Sequence, residues 1–301
     1  MIPLLACVAI LTTQTADQPL YRFIAYGDSR GSDPSDTDMS IQKTIIRDAL
    51  ISKPAFIIQT GDLVYDSSMP ALWDQFDSVM QPVWDAHIPY YPAEGNHDNV
   101  GASHYAEYLQ KRIMKTWEPV RPSDALPRYS VDKSPLRLIA IDTEESTAAD
   151  SKQYRWIESE LVDARAHGLV PVPFFHITLH SIGAHGSNPK KQAELEPLFI
   201  KYHVPLVFMG HDHIYYRTRR HGIVYVTTGG AGAPLYDLEA GKDPRDEATD
   251  PTDPNWPDVS QKTYHYCICD VFKDRVDITV QAVHFEGPNP IDVFSVPLKE
   301  G

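Results

Sequence analysis

Short hydrophobic runs that each end in a polar cluster recur along this 301-residue chain. Residues 21–26 alternate apolar and aromatic side chains and then stop at Gly27-Asp28, and residues 56–58 lead in the same way into Gly61-Asp62. Such a run predicts a strand that delivers its last residues into a loop. The same design appears where residues 90–91 lead into 95–97, 170–175 into His176, and 206–208 into Gly210-His211.

Helical patterns separate these strands. Apolar residues recur at spacings of three and four, as on one face of an α-helix, around residues 37–52, 70–86, 101–116, 150–167 and 189–202. Alternating strands and helices predict an α/β fold built from packed layers. In such sheets a ligand binds beyond the carboxyl ends of the strands, which is where the polar clusters fall.

The remaining segments complete one predicted domain over residues 20–300. Around 233–262 the composition shifts to Asp, Pro, Glu and Ala with little periodicity, which favours a long acidic surface loop over a lid. Residues 263–297 predict a C-terminal β-hairpin followed by an edge strand. Two further features are predicted, a hairpin-like pair at 130–132 and 136–141 and a strand at 223–226.

The first residues of the chain resemble a targeting segment. Residues 2–11 form an apolar run that is too short to span a bilayer as a helix. The run resembles the hydrophobic part of a secretory signal, although no Lys or Arg precedes it, and a buried strand is the alternative interpretation. We expect a signal peptide within residues 1–16, export to the periplasm or the cell exterior, and no transmembrane span in the mature chain.

The charge of the chain narrows the classes of partner. Asp and Glu number 41 against 27 Lys and Arg, which gives a formal net charge of −14 at pH 7. Because no run of basic residues could neutralise a nucleic-acid backbone, we expect no binding of DNA or RNA of that kind. A small phosphorylated molecule stays possible, since bound metal cations would reverse the sign of the field inside a cleft.

The loops carry the candidate chemistry. Their carboxylates, amide oxygen, imidazoles and phenol suit zinc, manganese or iron, whereas the imidazoles disfavour calcium. Two metals that act together on a phosphate need a shared ligand, and Asp62 is the candidate because we place its strand between those leading to Asp28 and Asn96. In order, the motifs are Gly27-Asp28-Ser29-Arg30, Gly61-Asp62-Leu63-Val64-Tyr65, Gly95-Asn96-His97-Asp98, His176 and Gly210-His211-Asp212-His213.

These ordered motifs, spread over roughly residues 22–232, resemble those of the calcineurin-like metallophosphoesterase superfamily. Tyr65, three residues after Asp62, resembles the Gly-Asp-x-x-Tyr motif of its purple acid phosphatase branch. The resemblance implies a four-layered α/β/β/α sandwich and two metal ions, iron with zinc, manganese or a second iron. It also implies hydrolysis of a small phosphate ester by metal-bound hydroxide, with a phosphomonoester favoured. The alternatives are a phosphodiesterase, a nucleotide hydrolase, or a non-catalytic protein that binds metal or phosphate.

The resemblance also implies roles for individual residues. His97 would contact the phosphate or protonate the leaving group, and Asp98 could fix its imidazole. Asn96 and His185 would also face the substrate, although the match at His185 is weaker. The implied ligands are Asp28, Asp62, Tyr65 and His213 for the first metal, and Asp62, Asn96, His176 and His211 for the second.

Two positions leave alternatives open. His180 competes with His176 as the lone histidine, and His176 is preferred because it directly ends the apolar run and keeps the family spacing to His185. Arg30 stands where superfamily members have a metal-binding His or a Gly, and a guanidinium cannot ligate a cation. Arg30 could clamp a substrate phosphate or pair with an aspartate such as Asp33.

Overall fold

The computed structural model describes residues 17–101, 104–113, 121–122, 126–238, 258–283 and 289–298. The predicted signal peptide at 1–16 lies outside these residues. Five helices are described: α1 (Ser40–Ser52), α2 (Pro70–Asp85), α3 (Tyr105–Tyr108), α4 (Lys152–Ala166) and α5 (Pro189–Lys201). None of the helices in the described ranges has the length and apolar character needed to cross a membrane.

The described strands follow in chain order. The first seven are β1 (Tyr21–Tyr26), β2 (Phe56–Gln59), β3 (Tyr90–Pro92), β4 (Arg121–Pro122), β5 (Tyr129–Lys133), β6 (Leu136–Ala140) and β7 (Val170–Phe175). The others are β8 (Leu206–Met209), β9 (Tyr215–Arg220), β10 (Ile223–Thr228), β11 (Val259–Gln261), β12 (His265–Val271), β13 (Arg275–Ala282) and β14 (Asn289–Pro297). They form a six-stranded sheet in the order β14-β13-β12-β1-β2-β3 and an eight-stranded sheet in the order β11-β9-β10-β8-β7-β6-β5-β4.

The two sheets pack face to face between layers of helices. Across the interface, the rings of Phe23 and Phe208 meet edge-on with centroids 6.1 Å apart. Successive side chains of β8 point to opposite faces of the sheet. Phe208 packs in the core between the two sheets, whereas Val207 packs in the second core with residues of α4 and α5. Helices α1 and α2 cover the outer face of the six-stranded sheet. The predicted α/β/β/α sandwich is therefore confirmed.

The strand order brings the polar clusters to one edge of each sheet. Strands β1, β2 and β3 run parallel, with β2 in the middle, which confirms the predicted placement of the Asp62 strand. Strands β6, β7, β8 and β10 of the other sheet are also mutually parallel. Their carboxyl ends therefore lie at a common edge, where the site is found.

Three expectations differ from the structure. Within the helix predicted over 101–116, the described residues form α3 followed by a π-helical turn at Leu109–Ile113, and residues 102–103 and 114–116 lie outside the described ranges. Strand β9 was missed because charged residues hide its alternation, and these become buried as ion pairs such as Arg217 Nε with Asp292 Oδ2 at 2.6 Å. The predicted loop at 233–262 contains β11, which pairs with β9, while residues 239–257 lie outside the described ranges.

Candidate metal centre

Strained backbone marks the loops that carry the candidate ligands. Asp28, Asp62 and His211 adopt positive φ angles of 59°, 56° and 68°, a conformation that few residues other than glycine adopt. Each follows a glycine just beyond the end of β1, β2 or β8. A Cβ on Gly210 would lie 2.7 Å from Asp28 Oδ2, so the loops are in close contact. Such strain persists when the surrounding structure enforces it, often at functional sites.

Asp28, Asp62 and His213 form a first group, which we call the first position. All three are buried, and their possible ligand atoms lie within 4.8 Å of one another. His213 Nδ1 lies 2.7 Å from the carbonyl oxygen of Pro234, to which it donates a hydrogen bond. His213 Nε2 lies 3.4 Å from Asp28 Oδ1. A backbone carbonyl that fixes the imidazole in this way is typical of metal-ligating histidines.

Asn96, His176 and His211 form a second group, and His176 brings it against Asp62; we call this group together with Asp62 the second position. Asn96 Oδ1 lies 2.9 Å from His176 Nε2 and 3.0 Å from His211 Nδ1. His176 Nε2 also lies 3.4 Å from Asp62 Oδ1. Because His176 Nδ1 donates to the Thr60 carbonyl at 3.0 Å, Nε2 is the ring nitrogen that faces these neighbours. Asn96 Oδ1 and the two imidazole nitrogens thus converge on one point beside Asp62, an oxygen and nitrogen set of the kind that binds zinc, manganese or iron.

The protonation states of His211 and Asp62 suit metal ligands. Burial, followed by the neighbouring His176 and His185, lowers the pKa of His211 to about 2, so its imidazole is neutral near pH 7. Burial on its own would raise the pKa of Asp62, but His176, His97 and Arg30 together lower it to about 2. Ligands must be deprotonated to bind a metal, and these two groups already are.

The structure separates the two histidine candidates. His176 lies among Asp62, Asn96 and His211, whereas His180 Nε2 contacts the carboxylate of Glu196 in a buried pair. His180 also packs edge-on against Tyr225. Of the two histidines, His176 is thus the one that lies among the other candidate ligands.

His97 lies beside the shared aspartate. Its backbone N–H donates to Asp62 Oδ1 at 3.0 Å, and its Nδ1 donates to the carbonyl oxygen of Tyr65 at 2.6 Å. The Tyr65 carbonyl thus fixes the orientation of the half-buried ring.

Asp98 does not take the place expected of it. Its buried carboxylate accepts hydrogen bonds from the backbone N–H groups of Leu63 at 3.0 Å and Gly95 at 2.9 Å. It thereby joins the loop after β2 to the loop after β3. The contact that orients the His97 imidazole comes from the Tyr65 carbonyl instead, because the turn at 62–65 brings that carbonyl to Nδ1.

Arg30 has a different partner from those expected. Its Nε donates to Asp62 Oδ2 at 3.0 Å, and both side chains are buried, with relative exposures of 8% and 2%. The guanidinium carbon lies 5.2 Å from the ring centroid of Tyr65, and the centroids of the Tyr65 and His97 rings are 4.9 Å apart. Asp33 instead accepts hydrogen bonds from Ser35 in its own loop. Arg30 therefore pairs with an aspartate, as one of the two expectations had it, but with Asp62 of the neighbouring strand loop instead of Asp33.

An aromatic wall borders the site, and part of it was missed from the sequence. The ring of His185 stacks on His211 with centroids 4.0 Å apart, which places His185 at the site as expected. Tyr236 stacks on His213 at 4.2 Å and meets His185 edge-on at 5.3 Å. Tyr236 follows the Gly229–Gly230 turn in a segment without a motif, so its composition carried no signal for this position.

The fold and this double group of ligands define a centre suited to two metal ions at the facing edges of two sheets. The chain belongs to the calcineurin-like phosphoesterase family, whose model matches residues 23–215. It is a phosphoesterase, and the family implies a dinuclear metal centre for hydrolysis of phosphate esters.

Named relatives agree with the resemblance to purple acid phosphatases. Tartrate-resistant acid phosphatase type 5 of Mus musculus is 27% identical over 249 residues, which cover 73% of this chain and 75% of that protein. Probable inactive purple acid phosphatase 27 of Arabidopsis thaliana is 26% identical over 229 residues, covering 60% of this chain and 35% of that protein. The structure of purple acid phosphatase PPD1 from yellow lupin (Lupinus luteus) shares the fold with a TM-score of 0.71 at 20% identity, over 91% of this chain and 53% of the lupin chain.

Proposed function

We propose that this chain is a phosphomonoesterase that uses two metal ions, one at each position defined above. The observation that carries the proposal is the location of Asp62. One of its oxygens lies 3.4 Å from His176 of the second position, and the same side chain groups with Asp28 and His213 in the first. A carboxylate shared between two groups of imidazoles and oxygens is what a dinuclear centre requires.

The side chains divide the work of ester hydrolysis. When bound, the two metals would neutralise the charge of the phosphoryl group and make water a stronger nucleophile. His97 stands beside this centre with Nδ1 held by the Tyr65 carbonyl, so a proton on Nε2 would go to the leaving oxygen. Asn96 and His185 would help to orient the phosphate, and His185 is kept in place by its backbone N–H bond to Asp212 Oδ1 at 2.9 Å.

The test of this function is metal content measured together with a panel of phosphate esters. We expect two metals per chain and metal-dependent turnover of an aryl phosphate. Asp62→Asn should remove metal binding, and His97→Ala should lower turnover by roughly a hundredfold or more with metal content retained. His104→Ala is the matched control, because His104 is 46% exposed and pairs with Glu107 away from the site. Two bound metals without hydrolysis of any ester would favour the non-catalytic alternative.

A second candidate function is hydrolysis of phosphodiesters or nucleotides at the same site. A shared fold and metal centre do not by themselves determine the type of ester. Side-by-side assays of aryl monoesters and bis-esters separate the two, and we expect the monoester to be preferred.

The metal pair is proposed to be iron with zinc, manganese or a second iron. This proposal depends on Tyr65 as a ligand of the first metal, for which the motif spacing is the support. A purple absorption band that disappears in Tyr65→Phe would establish a ferric tyrosinate. A colourless protein with full activity would contradict it.

Two further proposals depend on the sequence alone. We propose that residues 1–16 are removed during export and that residues 20–300 form one domain. The intact mass of the exported protein tests the first, and limited proteolysis of the purified chain tests the second.

A further inference from the structure

His180 has a buried environment that the metal centre does not explain. It lies four residues after His176, is only 1% exposed, and contacts the carboxylate of Glu196 on α5 through Nε2. The side-chain amide nitrogen of Gln192, one turn earlier on α5, lies 3.3 Å from the other ring nitrogen, Nδ1. Both ring nitrogens of His180 therefore have a partner on the same helix, which fixes the place and the direction of the ring.

Fixing the ring is a different task from stabilising the fold. A buried polar pair contributes little net stability compared with well-packed apolar side chains of similar volume, because both groups lose their contacts with water. A satisfied buried network does hold its members in one arrangement, because hydrogen bonds are directional. The contact between His180 and Glu196 is thus suited to set the place of the chain segment that carries His180.

That segment is the loop at residues 176–188, between β7 and α5, which carries His176 at its beginning and His185 near its end. Three hydrogen bonds join the limb that contains His180 to the residues that follow His185: Asn188 N–H to the Leu179 carbonyl at 3.2 Å, Ser181 N–H to Ser187 Oγ at 3.0 Å, and Thr178 Oγ1 to the Gly186 carbonyl at 3.1 Å. A displacement of the first limb is therefore passed to the second.

His185 stands at the tip of this loop, beside the second position. Its ring stacks on His211 with centroids 4.0 Å apart, and its backbone N–H donates to Asp212 Oδ1 at 2.9 Å. Because hydrogen bonds join the limbs just behind the tip, the place of the His185 ring depends on where α5 holds His180.

We propose that His180 and Glu196 form a positioning pair, which places His185 against the phosphate and thereby increases the affinity of the site for the phosphate group. The inference rests on the proposed function, in which His185 orients the phosphate. His180 itself faces α5, so it acts through the loop and not by contact with the substrate.

The experiment measures KM and kcat for an aryl phosphate, together with the calorimetric Kd for inorganic phosphate, in the metal-loaded full-length chain. His180→Leu removes the contact with Glu196 and should raise KM and this Kd by about threefold to tenfold, while kcat changes by less than about twofold, because the weakened contact is made in the ground state and the transition state alike. His185→Ala should raise KM and Kd by at least about tenfold. The double variant should match His185→Ala alone, since His180 acts through His185.

Two control variants separate positioning from a general loss of structure. His180→Gln keeps a side-chain N–H within reach of Glu196 and should retain the wild-type KM. Arg137→Leu breaks a buried pair with Asp132 near the amino end of β6, whereas the metal loops lie at the carboxyl ends of the strands, so it should lower the melting temperature without changing KM. Thermal unfolding shows whether each variant is folded, and Glu196→Leu breaks the same contact from α5 if His180→Leu does not fold.

Each outcome decides between the possibilities. A raised KM in His180→Leu that is absent on the His185→Ala background supports the inference. An unchanged KM and Kd in folded His180→Leu, or increases that multiply in the double variant, would overturn it and leave the proposed function intact. A wild-type chain that hydrolyses no phosphate ester would refute the proposed function, and the Kd for inorganic phosphate would still decide the inference, so the two failures are distinguishable.

Discussion

Gly61→Ala offers a sharp test of how tightly the metal loops are packed. Gly61 connects β2 to Asp62 and has a φ of +99°, a conformation that an L-residue rarely adopts. A Cβ at this position would lie 2.8 Å from His176 Nδ1 and 2.9 Å from the backbone of Gly95. The substitution therefore strains the backbone and also forces apart two loops that carry candidate ligands.

The magnitude follows from these two costs. A residue held in a sparsely populated backbone region costs about 1–3 kcal/mol, and overpacking a close-packed site costs about 1–3 kcal/mol more. We expect Gly61→Ala to lower the free energy of unfolding by about 2–6 kcal/mol. Gly222→Ala is the matched control, because Gly222 has a φ of +78° but no atom within 4 Å of its would-be Cβ. It should incur the backbone cost alone.

The assay is urea denaturation of both metal-free variants and the wild-type chain, followed by Mn²⁺ titration and turnover of an aryl phosphate. We expect Gly61→Ala to be less stable than Gly222→Ala by about 1–3 kcal/mol and to lose affinity at the second position, where His176 is displaced. Equal destabilisation of the two variants would refute the reasoning, because it would mean that the loops around Gly61 accommodate the added methyl group without strain.

Three further predictions concern acid stability, helix capping and metal removal. Burial lowers the pKa of His265 to about 4, below its ordinary value of 6.5. The unfolded chain therefore binds more protons between these two values, and the free energy of unfolding falls by about 3 kcal/mol as the pH drops through them. Urea denaturation at pH 7 and pH 5 should show a smaller loss of stability in His265→Phe than in the wild-type chain, and an equal loss of stability in both proteins would contradict this. Asn188→Ala should lower the free energy of unfolding by about 1 kcal/mol, because the Asn188 side chain caps α5 by accepting the Lys191 N–H at 3.0 Å, whereas Asn188→Asp should retain the cap. A chelator should lower the melting temperature of the purified protein, and added metal should restore it, because a ligand that binds only the folded state stabilises that state; an unchanged melting temperature would argue against resident metals.

The pattern of hydrophobic and polar residues along the chain was sufficient to predict most of the helices and strands. Strand β7 and helix α5 were predicted nearly to the residue. The run of hydrophobic residues in a strand and their recurrence every three to four residues in a helix depend only on positions close together in the chain. Strand β9 was not predicted because it depends on residues far apart in the chain. Its arginines can be buried only when they pair with distant acidic residues, such as Arg217 with Asp292.

The sequence by itself determined which residue types gather at the strand ends, because metal ligation requires carboxylates, amides and imidazoles and these stand in ordered motifs after hydrophobic runs. The tertiary structure decided which groups these residues meet. Arg30 pairs with Asp62 rather than Asp33, and the Tyr65 carbonyl rather than Asp98 contacts the His97 ring. The physical reason is that a hydrogen bond or ion pair depends on distances of a few ångströms between loops, and only the packing of one strand beside another establishes those distances.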